Sequence, residues 1–323
     1  MLIVPRSPSD EGYESERGEQ PAKRRCGGST TVTQGGSGTG SNMATEEPDD
    51  RVHQRKWTMD DFELGNVIGC GRFGKVLHAV EKESRIGVAI KVIAKSSIAD
   101  DMKNQVFHEL AVHSLLRHPN IIPLYTFFHN QQSICIVMEY AAGNSLHSLM
   151  RKQKYKRFSE ELAAKYICQM AKALDHMHNR VWMHRDVKPE NVLIDGKGDA
   201  KLGDFGYVIS SVRRRHGVCG THEYMAPEVL LNKPYDHTVD IWCLGVMAFE
   251  LLVGRDPFRS NKPKITQKRI LQRKIVFPAI VKPDAVDLIQ KLIVVDPKKR
   301  LALNQTINHV WITNNYVQTV QSR

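Results

Sequence analysis

The residues best suited to chemistry lie near the middle of the chain. His184-Arg185-Asp186-Val187-Lys188-Pro189-Glu190-Asn191 is followed shortly by Asp204-Phe205-Gly206. An acid, a lysine, an amide and a further acid, Asp186, Lys188, Asn191 and Asp204 in that order, suit the transfer of a phosphoryl group. Asp186 is expected to accept the proton of an incoming hydroxyl. Asn191 and Asp204 carry oxygen ligands of the kind that a hard cation such as Mg²⁺ takes while it bridges phosphate oxygens. Lys188 is expected to neutralise charge on the group in flight. Phosphoryl transfer depends on positioning and charge cancellation more than on covalent help, and these residue types supply both.

A phosphate cradle is visible upstream. Gly69-Cys70-Gly71-Arg72-Phe73-Gly74 has the pattern G-x-G-x-x-G, which dinucleotide-binding folds share. A dinucleotide loop follows a strand and opens a helix. Here Lys75 to Val80 continues as an alternating strand, so the loop is expected to join two antiparallel strands and lie as a flap over phosphates. Its glycines let backbone N–H groups come close to anionic oxygens. No Gly-Lys-Ser/Thr ending follows, which excludes a P-loop. Lys91, in Val88-Ala89-Ile90-Lys91, stands 17 residues after the last loop glycine and is expected to place an ammonium under the same phosphates. A helical acid should fix it. Glu109 is the best placed, because Asp100 and Asp101 stand too near the helix start.

The elements that must hold these groups follow from periodicity. Phe62 to Val67 and Val76 to Val80 alternate around the glycines, which predicts a hairpin. Val88 to Ile93 and Ile134 to Glu139 predict two more strands, with helical spacing between them from about Ser97 to Leu116. After Ala142-Gly143 the pattern turns helical. Leu162, Tyr166, Ile167, Met170, Leu174 and Met177 share one face, and Ser159 is a suitable N-cap before Glu160 and Glu161. Two short apolar runs, at Val192-Leu193-Ile194 and Ala200-Lys201-Leu202, precede a mostly helical remainder. The expected class is α+β: a small β-rich lobe with one major helix, then a larger helical lobe.

The chain has 323 residues, of which 41% are hydrophobic and 25% charged, ordinary for a folded soluble protein. No segment has the roughly 20 apolar residues of a membrane span; the best, Ile241 to Gly254, is cut by Glu250. The N-terminus does not read as a secretory signal. Residues 1–56, rich in Gly, Ser, Thr, Pro and Glu, are expected to be a disordered extension. Within it Lys23-Arg24-Arg25 is a weak nuclear-import pattern. The extension carries 8 basic and 9 acidic groups, so the remaining 38 basic and 26 acidic groups give residues 57–323 a net charge of +12. Acidic partners such as nucleic acid, microtubule surfaces or anionic membrane fit that charge, as does a solvated surface around a phosphate site. The six cysteines contain no C-x-x-C pair and read as reduced intracellular thiols.

Together these segments resemble the eukaryotic protein kinases over about Phe62 to Ile312, including Ala226-Pro227-Glu228 and Asp240-Ile241-Trp242-Cys243-Leu244-Gly245. The resemblance implies a bilobal fold with ATP in the cleft: a first lobe over 57–141, a second over 142–312 and a tail over 313–323. It implies that Ile68, Gly69, Cys70, Gly71, Arg72, Phe73, Gly74 and Val76 cover the nucleotide beside Lys91. It makes Met138 the gatekeeper and Glu139 to Ala141 the adenine-binding hinge. It further implies a buried Glu228–Arg300 ion pair, and Asp240 as the anchor of the catalytic-loop backbone. No membrane contact is implied.

Within the kinases the chain looks like the Aurora family, on Asp61-Phe62-Glu63-Leu64-Gly65, Leu116-Arg117-His118-Pro119-Asn120-Ile121, Cys219-Gly220-Thr221 and His309-Val310-Trp311-Ile312. Polo-like and AGC kinases share some of these segments. Thr221 and Lys188 point to serine/threonine specificity. Glu190 and Glu250 match acids that bind substrate arginines through paired hydrogen bonds, so a basic sequence before the acceptor is expected. The likeness also implies a role in cell division, in nucleus and cytoplasm and at chromosomes, centromere or spindle, with an activating partner of the chromosomal passenger or spindle type. The chain departs from the Auroras in three places. Tyr207 replaces Trp, Ala226 replaces Pro, and Gly217 replaces the activating Thr whose phosphate Arg185 would help bind. Arg185 and Arg213-Arg214-Arg215 are thereby left without an evident anion. Ser210, Ser211 or a partner is then left to order the loop, or Arg213 to Val218 sits in the cleft as a pseudosubstrate. Two other functional classes are a pseudokinase scaffold and a nucleic-acid binder; the first is opposed by the intact Lys91, Glu109, Asp186, Asn191 and Asp204, and the second rests on charge alone.

Overall fold

The alternation read in the first lobe becomes a five-stranded antiparallel sheet. A computed structural model describes residues 55–71, 74–98, 100–211, 217 and 219–316. The expected disordered extension over 1–56, except its last two residues, Arg72 and Phe73 of the glycine loop, and Arg213 to Arg215 lie outside the described residues. Strands β1 (Phe62–Gly71), β2 (Gly74–Glu81), β3 (Gly87–Ala94), β4 (Leu124–His129) and β5 (Ser133–Glu139) pair in the order β1-β2-β3-β5-β4. The hairpin β1–β2 closes at Gly71 opposite Gly74, as the loop's antiparallel setting requires. At Gly74 a side chain is impossible: a Cβ would meet the Val92 carbonyl oxygen at 1.8 Å. Lys91 sits mid-strand between Val76 on β2 and Ile136 on β5. Strand β4 was not foreseen. Its residues Leu-Tyr-Thr-Phe-Phe favour a strand, but they lack the clear polar–apolar alternation that marks one in sequence.

Helix α1 (Asp100–Leu115) lies between β3 and β4 in the chain. Ile93, Ile98, Val106, Leu110, Leu124, Ile134 and Ile136 form the apolar layer between helix and sheet. That layer sets the height of Glu109, one residue before Leu110, over Lys91.

The second lobe is built on α3 (Glu160–His178), capped by the Ser159 hydroxyl that accepts from the Leu162 amide at 3.4 Å. It follows α2 (Leu146–Lys152) and packs against α5 (Thr238–Val253). Between α3 and α5 run β6 (Trp182–Met183), β7 (Val192–Ile194), β8 (Ala200–Leu202), β9 (Ile209–Ser210) and α4 (Pro227–Leu230). After α5 come α6 (Pro263–Leu271), α7 (Pro283–Leu292), α8 (Leu303–Ile307) and α9 (Val310–Asn315). The last helix runs past Ile312 into the segment expected to be tail, because Trp311 and Ile312 are buried in the main core. The apolar run of α5 is buried nearly all round, and Gly245 lets α7 approach: a Cβ there would fall 2.7 Å from Ile293.

One ion pair spans this lobe. Arg300 donates from both terminal nitrogens to Glu228, at 2.6 and 2.7 Å, and gives further bonds to the carbonyls of Val294 and Thr238. Its guanidinium also lies 5.3 Å from the Trp242 ring centre. Both charges are buried, so losing one partner strands the other in a medium of low dielectric. Replacing Glu228 with Gln should lower unfolding free energy by about 3 kcal/mol, read in a denaturant titration. A loss below about 1 kcal/mol would show that the pair is not under load.

Candidate active site

The catalytic-loop residues are placed by backbone pairing. Strands β7 and β8 form a hairpin with Val192 opposite Leu202, and the Gly203 amide bonds the Asn191 carbonyl at 2.9 Å. Asn191 and Asp204, distant in sequence, are thereby brought to the same end of one hairpin. The loop before them hangs from Asp240 at the start of α5. The fully buried Asp240 carboxylate accepts the amides of His184 and Arg185, at 2.9 and 2.8 Å, and lies 2.8 Å from His178 Nε2. Burial works to raise its pKa, but the His178 bond and the Arg185 amide outweigh it and hold the carboxyl below its ordinary range.

His184 ties the loop to the Asp204 segment. Its Nε2 faces the Gly203 carbonyl at 3.0 Å and so carries the proton, leaving Nδ1 to accept the Asp186 amide at 3.3 Å. Phe205 is buried, with its ring centre 4.2 Å from that of His113 on α1 and 5.5 Å from that of His184. A column of rings therefore joins helix, Asp204 segment and catalytic loop. His113 bonds the Ile122 carbonyl at 2.7 Å, and burial lowers its pKa to about 4, so it stays neutral. The sequence reading missed His113, although it stands four residues after Glu109 on the same helical face.

Asp186 is saturated with donors. One oxygen accepts the Thr221 amide and hydroxyl, both at 3.0 Å. The other lies 2.8 Å from Lys188 Nζ and 2.8 Å from Asn191 Nδ2. Lys188 also donates to the Thr221 hydroxyl at 2.6 Å. Burial alone would raise the Asp186 pKa, but the Lys188 bond and charge, Asn191 and Thr221 together hold it below the usual carboxylate value. The expected set Asp186, Lys188, Asn191 and Thr221 is thus one hydrogen-bonded cluster.

Beside it opens a cavity of about 410 Å³, well within the range of nucleotide-sized sites. Ile68, Gly69, Cys70, Val76, Met138, Glu139 and Ala141 line it as expected, with Lys91, Glu109, Asn191 and Asp204 at its polar end. Glu139 is itself held by Lys201 at 2.9 Å. Of the remaining loop glycines, Gly71 and Gly74 form the strand ends rather than the cavity wall. Lys91 Nζ lies 3.3 Å from Glu109 and 3.8 Å from Asp204. Burial disfavours its charge, but Glu109 and Asp204 outweigh that and keep the ammonium protonated. The residues fit a divalent cation. Asn191 commits its amide nitrogen to Asp186, and its Oδ1 takes no hydrogen bond among the described residues. Asp204 is about half exposed and aligned by Lys91. Two protein oxygens and a phosphate suit a cation that keeps several waters.

Comparison with known proteins agrees with this geometry. Residues 62–312 match the family model of the protein kinase domain. The chain is 41% identical over 263 residues to an Aurora kinase of Dictyostelium discoideum, covering 81% of this chain and 68% of that protein. It is 40% identical over 265 residues to serine/threonine-protein kinase Aurora-1 of Arabidopsis thaliana, covering 81% and 90%. It is 35% identical over 319 residues to Aurora kinase A-A of Xenopus laevis, covering 97% and 78%. The chain belongs to the Aurora family of serine/threonine protein kinases.

In this kinase Arg185 forms no ion pair among the described residues, in line with the missing threonine, and uncharged oxygens hold it instead. Arg185 Nε donates to the Tyr207 carbonyl at 2.6 Å and Nη1 to the Tyr235 hydroxyl at 3.1 Å. Gly217 instead donates its amide to Asn232 Oδ1 at 2.9 Å with φ of +108°, a conformation that L side chains rarely adopt. Glu250, expected at the substrate, accepts a short hydrogen bond from the Tyr224 hydroxyl. Burial and the charges of Glu190 and Asp256 raise its pKa to about 7 in spite of that bond. Tyr224, Tyr235 and Asp256 carry no local sequence signal, because each acts on a residue remote in the chain or outside any motif. Removing the Thr221 hydroxyl, as in Thr221→Val, leaves that Asp186 oxygen with the Thr221 amide alone and takes one bond from Lys188. We expect kcat to fall about tenfold or more with nucleotide affinity unchanged; an unaltered kcat would show that the hydroxyl does not position the pair.

Proposed function

We propose that this Aurora-family kinase transfers the γ-phosphoryl group of Mg²⁺-bound ATP to serine or threonine in sequences with arginine before the acceptor. The observation that carries the mechanism is the Asp186 carboxylate, kept ionised by Lys188, Asn191 and Thr221 beside the cavity. The glycine loop and Lys91 hold the phosphates, and Glu109 holds Lys91. Glu139 to Ala141 take the adenine through backbone groups, with Met138 behind. The acceptor oxygen bonds to the γ-phosphorus, the bond to the bridging oxygen of ADP breaks, and the acceptor's proton passes to Asp186. Lys188 balances charge on the transferring group. Asn191 and Asp204 would hold a divalent cation, Mg²⁺ in this reading, which would draw charge off the phosphate oxygens. Asp186→Asn should lower kcat at least a thousandfold while nucleotide binding, measured by fluorescence titration, persists. An active Asn variant would remove Asp186 from the reaction.

The arginine preference rests on Glu190 and Glu250. The Glu190 carboxylate is close enough to oppose ionisation of Glu250, and a guanidinium between them relieves that repulsion. Binding an arginine therefore favours the ionised form of a group that titrates near pH 7. For an arginine peptide, kcat/KM should rise several-fold from pH 6 to pH 8 and then level. The profile for a peptide without arginine should be flatter, and kcat should show no acid limb from Asp186 in that range. Parallel profiles for both peptides would argue against Glu250 as the arginine site. Family membership further supports action in cell division, in nucleus and cytoplasm and at chromosomes, centromere or spindle, with an activating partner of the chromosomal passenger or spindle type.

A further inference from the structure

From Pro257 to Pro283 the chain has eight lysines and arginines and no aspartate or glutamate. This segment contains α6. The helix turns Thr266 and Ile270 into the core, one turn apart, so Lys264, Ile265 and Lys268 are exposed on the opposite side. Two of the three arginines here are tied down: Arg269 donates to the Arg259 carbonyl, and Arg273 to the Gln290 carbonyl at 2.6 Å. Of the five lysines, Lys282 at the end of the segment pairs with Glu160 at 3.4 Å. Among the described residues Lys262, Lys264, Lys268 and Lys274 form no ion pair, and all four are exposed. The result is a row of solvated cations with no counter-charge in their own segment.

Its position relates it to the substrate side of the kinase. Helix α6 packs against α4, which directly follows the Cys219 to Ala226 stretch holding Asp186 through Thr221. Arg259, the first cation of the segment, acts electrostatically on Glu250. An acidic site for arginine and a basic helical face therefore adjoin through one short connection. We propose that the outer face of α6 and the loop after it dock an acidic, partly apolar segment of the same protein substrate that presents arginine to Glu190 and Glu250. The proposal rests on that arginine reading. Charge complementarity selects an acidic occupant. Exposed Ile265, Val276 and Ile280 lie in the same segment, and an apolar component of a peptide can cover them where a phosphate backbone cannot. No aromatic side chain of α6 is available to stack on a nucleic-acid base.

The test uses the full chain and three peptides with one arginine-containing acceptor sequence. One is bare; two carry a Glu/Leu tail through a Gly/Ser spacer, before or after the acceptor. One tailed peptide should show a KM about tenfold or more below the bare peptide at low salt, because tethering makes the second contact intramolecular. The advantage should shrink near 0.5 M salt, where charges are screened within about one contact distance. It should vanish in a variant with Lys264→Glu, Lys268→Glu and Lys274→Glu, with kcat and the bare-peptide KM unchanged. It should survive Lys298→Glu with Lys299→Glu, which alters exposed charge elsewhere. Equal KM for all three peptides, an advantage that persists in the triple variant, or its loss in both variants overturns the proposal. So does a DNA duplex that binds in a manner dependent on the three lysines while the tailed peptides gain nothing. If the bare peptide is not phosphorylated, the arginine reading fails by itself. Anisotropy of the labelled tail alone then reads the surface, and equal binding to wild type and triple variant overturns it.

Discussion

The site depends on one desolvated carboxylate. Asp240 has no access to water, yet it must stay charged to hold the amides of His184 and Arg185 and the ring of His178. A buried charge is costly unless donors surround it, and these three supply what water would. Because two of the donors are consecutive backbone amides, the carboxylate fixes the direction in which the chain leaves toward Asp186. Arg185 accommodates this with φ of +70°, an unusual value for a side-chain-bearing residue. The strain is local, and the chain geometry that follows from it delivers Asp186 to Thr221.

From that anchor two connections run outward. The His184 ring reaches Gly203 and so fixes the segment that carries Asp204. Phe205 then reaches His113 on α1, the helix that also bears Glu109. Lys91 on the sheet closes the circuit by touching both Glu109 and Asp204. Each link is short and joins elements that are far apart in sequence. A displacement of α1 would therefore disturb Lys91 and Phe205 together, which couples the alignment of phosphates to that of the cation ligands.

Much of this was legible in the sequence because the chemistry is local. His184 to Asn191 lies within eight residues, and the β7–β8 hairpin that brings Asp204 back is short. Lys91 is legible from its place on the next strand, 17 residues after the last loop glycine, and Glu109 from its place on the one helix of the first lobe. Contacts made across long separations were not legible. Tyr235 reaches Arg185 across 50 residues, and Tyr224 reaches Glu250 across 26. A lone tyrosine has no pattern that reveals its hydroxyl's partner. Strand β4 was missed for a related reason: Leu124 to His129 is defined by pairing with β5 rather than by its own alternation. The substitution at Gly217 removed the expected anion for Arg185, and the neutral oxygens of Tyr207 and Tyr235 that take its place could not be read from the sequence.

The tight passage of Gly74 beneath the Val92 carbonyl has a mechanical meaning. The backbone there is clamped against β3 with no room for even one extra carbon, so the start of β2 is pinned to the strand that bears Lys91. The cover of the phosphate site and the lysine beneath it are thereby bolted to one wall, and a single extra methyl at position 74 would prise them apart.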